Sequence, residues 1–153
     1  MPTHAERKIL AYTPRQLFDL VANIEKYPEF LPWVVSTKVS ERKIEDESDG
    51  TGGKTSSFLA EVTIGYKIFT YPYKCYVHLT PDYRIDIEYI EGPFKYLNNH
   101  WIFTPVNDKL TEIEFYMDFE LKTPALQAVL QPVFSEVVKR MINAFERQAG
   151  HMY

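Results

Sequence analysis

Apolar residues recur in pairs every four positions near the end of the chain: Val133 and Phe134, Val137 and Val138, Met141 and Ile142, then Phe145 and Ala149. Ser135, Glu136, Lys139, Arg140, Asn143, Glu146 and Arg147 fill the intervals, so the pattern predicts an amphipathic helix with about half its circumference apolar. A stripe that wide calls for a broad concave partner rather than a single facing helix. The helix is expected over residues 123–148, with the Thr123 hydroxyl as cap and Pro124 in the first turn, where its missing N–H costs nothing. Pro132 removes one backbone hydrogen bond and clashes with the preceding turn, at about 3 kcal/mol, and predicts a kink or break.

Elsewhere the period is two. Residues 3–11 predict a first strand despite poor alternation. Thr13-Pro14-Arg15-Gln16 reads as a capping box opening a helix that buries Leu17, Phe18, Val21 and Ile24. The segment 27–33 cannot be a regular helix because of Pro28 and Pro32, yet Tyr27, Phe30, Leu31 and Trp33 are large and apolar, so this loop must pack on something. Residues 34–44 and 54–64 flank a polar, glycine-rich connection, 45–53, that suits a hairpin. Counted as a calcium loop from Asp46, it places Thr51 where glycine is needed and Ser57 where glutamate is needed, which favours a solvated turn.

Alternation then fixes which side chains share a face. A strand over 66–80 groups Phe69, Tyr71, Tyr73, Cys75, Val77 and Leu79, with Pro72 predicting a bulge or bend. The next groups Tyr83, Ile85, Ile87 and Tyr89 against Arg84, Asp86 and Glu88. After the Gly92-Pro93-Phe94 turn, strand 95–104 sets Leu97, Asn99, Trp101 and Phe103 against Tyr96, Asn98, His100 and Ile102. Strand 109–121 sets Ile113, Phe115, Met117, Phe119 and Leu121 against Glu112, Glu114, Asp118 and Glu120. The more apolar phase is expected to face inward, carrying Asn99 with it.

Strand, helix, antiparallel strands and one long helix, without repeats or an internal linker, make an α+β fold: a sheet with one wet side, its other side gripping the closing helix. A strongly curved sheet encloses more apolar face than one helix can fill, so a cavity is expected between them.

Composition narrows the function. At 153 residues the chain is expected to form one domain, residues 1–153, with a core that needs no disulfide or metal. A formal charge of −4 gives no general attraction to nucleic acid, and no DNA partner is expected. Cys75 is the only cysteine and cannot form an internal bridge. No apolar run approaches the ~20 residues of a membrane span, and the N-terminus lacks the apolar region of a signal peptide. Eleven Tyr, ten Phe and two Trp bring large apolar area with polar tips, suited to a sheet or to the surroundings of an amphipathic ligand. The four histidines are scattered, and no Ser/His/Asp grouping, metal cluster or phosphate-binding loop stands out, so neither catalysis nor a catalytic cofactor is expected.

Two stretches, YTPRQLFDLVANIEKYPEFLPW from Tyr12 to Trp33 and GPFKYLNNHWIF from Gly92 to Phe103, closely resemble the coenzyme Q-binding proteins of the START-like (polyketide cyclase/dehydrase) superfamily, whose bacterial members also carry the label ribosome-association toxin. The resemblance runs over residues 3–149; Val34 departs from it where many relatives have Cys, and Pro132 is atypical. It implies a helix-grip fold with a hydrophobic tunnel, and a quinone or lipid chaperone supporting respiration rather than an enzyme. It also implies ubiquinone as ligand, a membrane surface and quinone-using enzymes as transient partners, and a cytoplasmic location peripheral to the inner membrane (the matrix side of the mitochondrial one in a eukaryote).

On that reading the tunnel would be lined by Trp33, Phe69, Tyr71, Tyr73, Tyr89, Phe94, Leu97, Trp101, Phe103, Phe115, Met117 and Phe119, with Val133, Val137 and Met141 from the helix. Each alone is equally well explained as core; their collective excess favours a ligand. Asn99 can hydrogen-bond a quinone oxygen or, alternatively, neighbouring backbone or water. Tyr27, Phe30 and Leu31 form either a lid that touches the membrane or a plug on the first helix. Two other functions stay open: a ribosome-binding module using Lys139, Arg140 and Arg147, and a cyclase-like enzyme.

Overall fold

The structure, a computed structural model, describes residues 3–31, 33–45, 55–66, 69–80 and 83–153, and at residues 3, 44, 45, 66 and 69 the backbone alone. Pro32 and residues 46–53 of the hairpin connection therefore lie outside the described residues. Strand β1 (Thr3–Leu10) leads into helix α1 (Pro14–Ala22), whose start the sequence predicts: the Thr13 hydroxyl accepts from the Gln16 amide at 3.2 Å and the Gln16 side chain accepts from the Thr13 amide at 2.9 Å. Its buried face is Leu17, Phe18, Leu20 and Val21, while Ile24 falls in the following 3-10 turn, Ile24–Glu29.

Six further strands follow: β2 (Val34–Glu45), β3 (Thr55–Tyr66), β4 (Phe69–Thr80), β5 (Arg84–Glu91), β6 (Phe94–Pro105) and β7 (Thr111–Leu121). They form one antiparallel sheet in the order β1-β7-β6-β5-β4-β3-β2. Tyr66 closes β3 rather than opening β4, and Tyr83 is 53% exposed, ahead of β5. Pro72 makes no bulge: its register with Thr63 is continuous, and the ladder from β4 to β5 begins only at Lys74, so the missing donor points to an unpaired edge. The irregularity falls instead between Lys74 and Cys75.

The closing helix is broken where Pro132 predicts. Helix α2 (Pro124–Leu130) passes through a 3-10 turn, Gln131–Val133, into α3 (Phe134–Met152). Thr123 has an extended backbone but its side chain caps nothing; the local link is the Leu121 amide donating to the Gln127 side chain at 3.0 Å. On α3, Val138, Ile142, Phe145 and Ala149 are buried in the main core with Phe103, Ile113 and Phe115 of the sheet.

The poor alternation of β1 has a cause in this packing. Its half-buried positions His4, Glu6 and Lys8 alternate with exposed Ala5, Arg7 and Ile9, and Lys8 Nζ reaches Glu146 Oε1 at 2.6 Å and Asn143 Oδ1 at 3.2 Å on α3. At this sheet edge the strand meets the polar flank of the helix. The other sheet face carries ion pairs, among them Arg7–Glu114 at 2.8 Å, Lys95–Glu120 at 3.0 Å and Lys74 with Glu61 and Glu91, both at 3.3 Å. Exposed as they are, they add little stability and mainly keep that face wet.

Candidate functional site

Helix and sheet do not fill the space between them. A cavity of about 750 Å³ remains, bounded by α3, the sheet from β3 to β7, and the segment after α1. Val62 and Ile64 of β3, Tyr71, Tyr73 and Cys75 of β4, and Ile87 of β5 supply one wall. Leu97, Asn99 and Trp101 of β6 and Phe115, Met117 and Phe119 of β7 supply the next. The helical side is Leu126 and Leu130 of α2, Val133, then Phe134, Val137, Val138, Met141, Ala144 and Phe145 of α3.

Of the side chains expected in a tunnel, the structure brings Trp33, Tyr71, Tyr73, Phe94, Leu97, Asn99, Trp101, Phe115, Met117, Phe119, Val133, Val137 and Met141 together around this cavity. Two are elsewhere. Phe103 has the inward phase but lies beneath α1, edge-on to Phe18 at 5.8 Å and fully buried. Tyr89 lies behind the wall, edge-on to Phe94 at 5.5 Å, its hydroxyl accepting from the Phe94 amide at 3.0 Å. The Phe69 side chain is outside the described residues. Val62, Ile64, Ile87 and Phe134 were missed; Ile87 shares the phase of Ile85 and faces Asn99 across the ladder, so alternation carried its signal.

The 27–33 segment is firmly seated at one end. Leu31 is 2% exposed, and Tyr27 and Phe30 stack edge-on against Phe145 at 5.3 and 5.2 Å. Tyr27, Leu31 and Trp33 reach the cavity; Phe30 does not. The Tyr27 hydroxyl donates to the Val21 carbonyl, tying the segment to α1.

Polar groups in the wall are few and uncharged until the rim. Asn99 Nδ2 donates to the Tyr116 carbonyl at 2.8 Å, the backbone alternative for this amide. Burial pushes the Cys75 thiol up to about 12 and raises Tyr73 and Tyr27 well above the usual phenol value, with Tyr73 and Cys75 adding to the shift of Tyr27. All three are protonated at neutral pH, so Cys75 is no nucleophile there. The wall reaches the surface at exposed Arg140, Asn143 and Arg147 on α3. Arg140 pairs with Glu136 at 3.2 Å, whereas Arg147 has no partner among the described residues. No group of three or more His, Cys, Asp or Glu able to hold a metal occurs among the described residues. His100 sits on the opposite sheet face, stacked on Tyr116 at 5.1 Å.

An apolar cavity gripped between a curved sheet and a C-terminal helix is the START-like helix-grip arrangement. The family model described as polyketide cyclase/dehydrase and lipid transport matches residues 10–146. The chain belongs to this family. Within the family, the ribosome association toxin RatA of Pseudomonas aeruginosa is 32% identical over 154 residues, covering 100% of this chain and 99% of that protein. A mitochondrial coenzyme Q-binding protein of Xenopus laevis, homolog B, is 29% identical and covers 98% of this chain and 59% of its own length. The solution structure of an 18 kDa protein from Caulobacter crescentus superposes with a TM-score of 0.78 at 31% identity, covering 99% of this chain and 98% of that one. No described helix is long and apolar enough to cross a membrane.

Proposed function

We propose that this family member binds a hydrophobic isoprenoid, ubiquinone, in the internal cavity and carries it between the membrane and quinone-using enzymes. The carrying observation is the cavity itself: about 750 Å³, within the size range of small-molecule sites, with aromatic and aliphatic walls and a handful of neutral polar groups. The name of the Xenopus laevis relative supports the choice of quinone. Affinity comes from burying the isoprenoid tail at roughly 25 cal/mol per Å², less the cost of ordering it. The test is native mass spectrometry with lipid extraction on protein purified from its own host. Recovery of a quinone is the expected result, and recovery of no lipid removes this reading.

Two features of the cavity suit loading. The 27–33 segment, plugged on Phe145 and leading to half-exposed Trp33 and to Val35, 58% exposed, gives a membrane-touching edge beside the cavity. Trp33 fluorescence is expected to shift to the blue on adding vesicles; an unchanged spectrum withdraws the lid role. At the other end, α2 and the 3-10 turn after it cover the cavity with Leu126 and Leu130, and Pro132 keeps them from fusing with α3. Pro132→Ala removes a penalty of about 3 kcal/mol on a continuous helix. It is expected to slow lipid exchange between protein and vesicles several-fold; an unchanged rate makes the break structural only.

A second reading has a specific observation behind it: the 32% identical Pseudomonas aeruginosa relative is named for ribosome association. The exposed flank of α3 offers Lys139, Arg140 and Arg147 for phosphate contacts, although a solvated helix face explains them equally. Cosedimentation with ribosomal subunits across a salt series separates the two, since phosphate contacts weaken steeply with salt and tail burial does not.

A further inference from the structure

The polar side chains near the cavity have largely found partners. The Tyr27 hydroxyl donates to the Val21 carbonyl, the Asn99 amide to the Tyr116 carbonyl at 2.8 Å, and the Tyr89 hydroxyl accepts from the Phe94 amide at 3.0 Å. Tyr73 differs: its hydroxyl has no hydrogen-bond partner among the described residues. Yet no buried side-chain oxygen or nitrogen is sealed off unpaired among those residues, so this hydroxyl opens on the cavity volume. It is nonetheless removed from bulk water, which is the first cause of its raised pKa.

The base of the side chain and one side of the ring are closely bounded. Gly92, at φ +152°, lies so close behind it that an added Cβ would stand 2.5 Å from the Tyr73 Cβ, and Phe94 packs edge-on at 5.9 Å. Its electrostatic neighbours, Tyr27 and Cys75, are neutral. The cations of the wall, Arg140 and Arg147, lie out on the exposed flank of α3. A donor that opens on an apolar cavity gains most from a ligand that brings it an acceptor. A hydrocarbon leaves it unpaired, and a carboxylate brought here would lose its hydration without gaining a counter-charge.

We propose that Tyr73 is the polar anchor of the cavity, donating from its hydroxyl to a carbonyl or ether oxygen of a neutral amphiphile whose apolar part fills the remaining volume. This rests on the cavity being a ligand site, as proposed above, and adds which atom reads the ligand and which ligands it favours.

The test compares the full chain with its Tyr73→Phe variant against three probes: a short-tail ubiquinone analogue, a long-chain fatty acid methyl ester and an oxygen-free isoprenoid hydrocarbon. Binding is read by tryptophan quenching, and urea unfolding midpoints check that both proteins are folded alike. Tyr73→Phe is expected to weaken the quinone analogue and the ester about tenfold and to leave the hydrocarbon within about twofold. Equal affinity of both proteins for the oxygenated probes overturns the proposal, as does a parallel loss for all three, which marks a packing role. If the ester binds in a Tyr73-dependent way and the quinone does not, the anchor stands and the ubiquinone reading falls. Binding of the hydrocarbon alone, or of none of the three, overturns the anchor.

Discussion

Phe145→Ala is expected to lower stability by about 3–5 kcal/mol, the range for emptying a fully enclosed aromatic site. Phe145 is 3% exposed and joins three parts of the protein: edge-on contacts run to Tyr27 and Phe30 of the plug at 5.3 and 5.2 Å and to Trp101 of β6 at 5.4 Å. Each such pair adds about 0.5–1.5 kcal/mol beyond area burial, so the loss belongs at the upper end. The void would merge with the existing cavity rather than collapse, since the wall beside it is already unfilled. Phe145→Leu retains much of the volume and is expected to cost roughly half as much. Urea unfolding followed by tryptophan fluorescence measures both. A loss below about 1 kcal/mol for the alanine variant would mean that the plug and α3 are not seated on each other as described.

Stability should also fall steeply in alkali, beginning near pH 9. In the unfolded chain Cys75 ionises around 9.0 and Tyr27 and Tyr73 around 10.0, whereas in the folded protein burial holds the thiol proton to about 12 and the two phenol protons higher still. Through that window the folded state binds more protons than the unfolded one, so unfolding becomes easier with every step up in pH. The contribution is fully present below pH ~9 and lost progressively above it. For Cys75 alone the loss is on the order of 4 kcal/mol once titration is complete. Urea midpoints from pH 7 to 11 measure it, and Cys75→Ala should flatten the first part of the fall. If the variant's curve runs parallel to that of the wild type, the thiol is not enclosed as its position implies. Below pH 9 the thiol should resist alkylating reagents, because little thiolate forms.

Alternation and helical spacing assign faces well and neighbours poorly, and the site shows both. Leu97, Asn99, Trp101 and Phe103 share one side of β6, as the period of two requires, but only the first three meet the cavity. What removes Phe103 is α1, which lies across that end of the sheet and buries it against Phe18; no pattern within β6 encodes where another element crosses. Tyr89 fails for a related reason, its ring packing behind the wall against the β5–β6 turn. The break at Pro132 was legible because a helix interior has its own hydrogen bond for the missing N–H to remove, whereas at Pro72 the same lack falls on an unpaired edge and leaves the register continuous. Thr123 was over-read: a hydroxyl in the right place caps only if its rotamer and backbone bring it to the first-turn amides, and here they do not. The unpaired state of Tyr73 was not legible at all, because it depends on which groups of other strands come within reach of one hydroxyl.

The strand order carries a consequence for how the chain is made. β1 pairs with β7, so that Thr3 lies opposite Asp118, and β1 has no partner until β7, near the end of the chain, has left the ribosome. Contacts so distant in sequence are slow to form, because loop-closure entropy must be spent before any ladder bond returns it. Strands β2 to β6 are consecutive hairpin partners and can assemble earlier, with α1 already made but the concave face not yet covered by α3. During that interval the future cavity is a greasy open trough. Only when α3 closes over it does the trough become an enclosed cavity, so the last part of the chain to be made is the part that seals it.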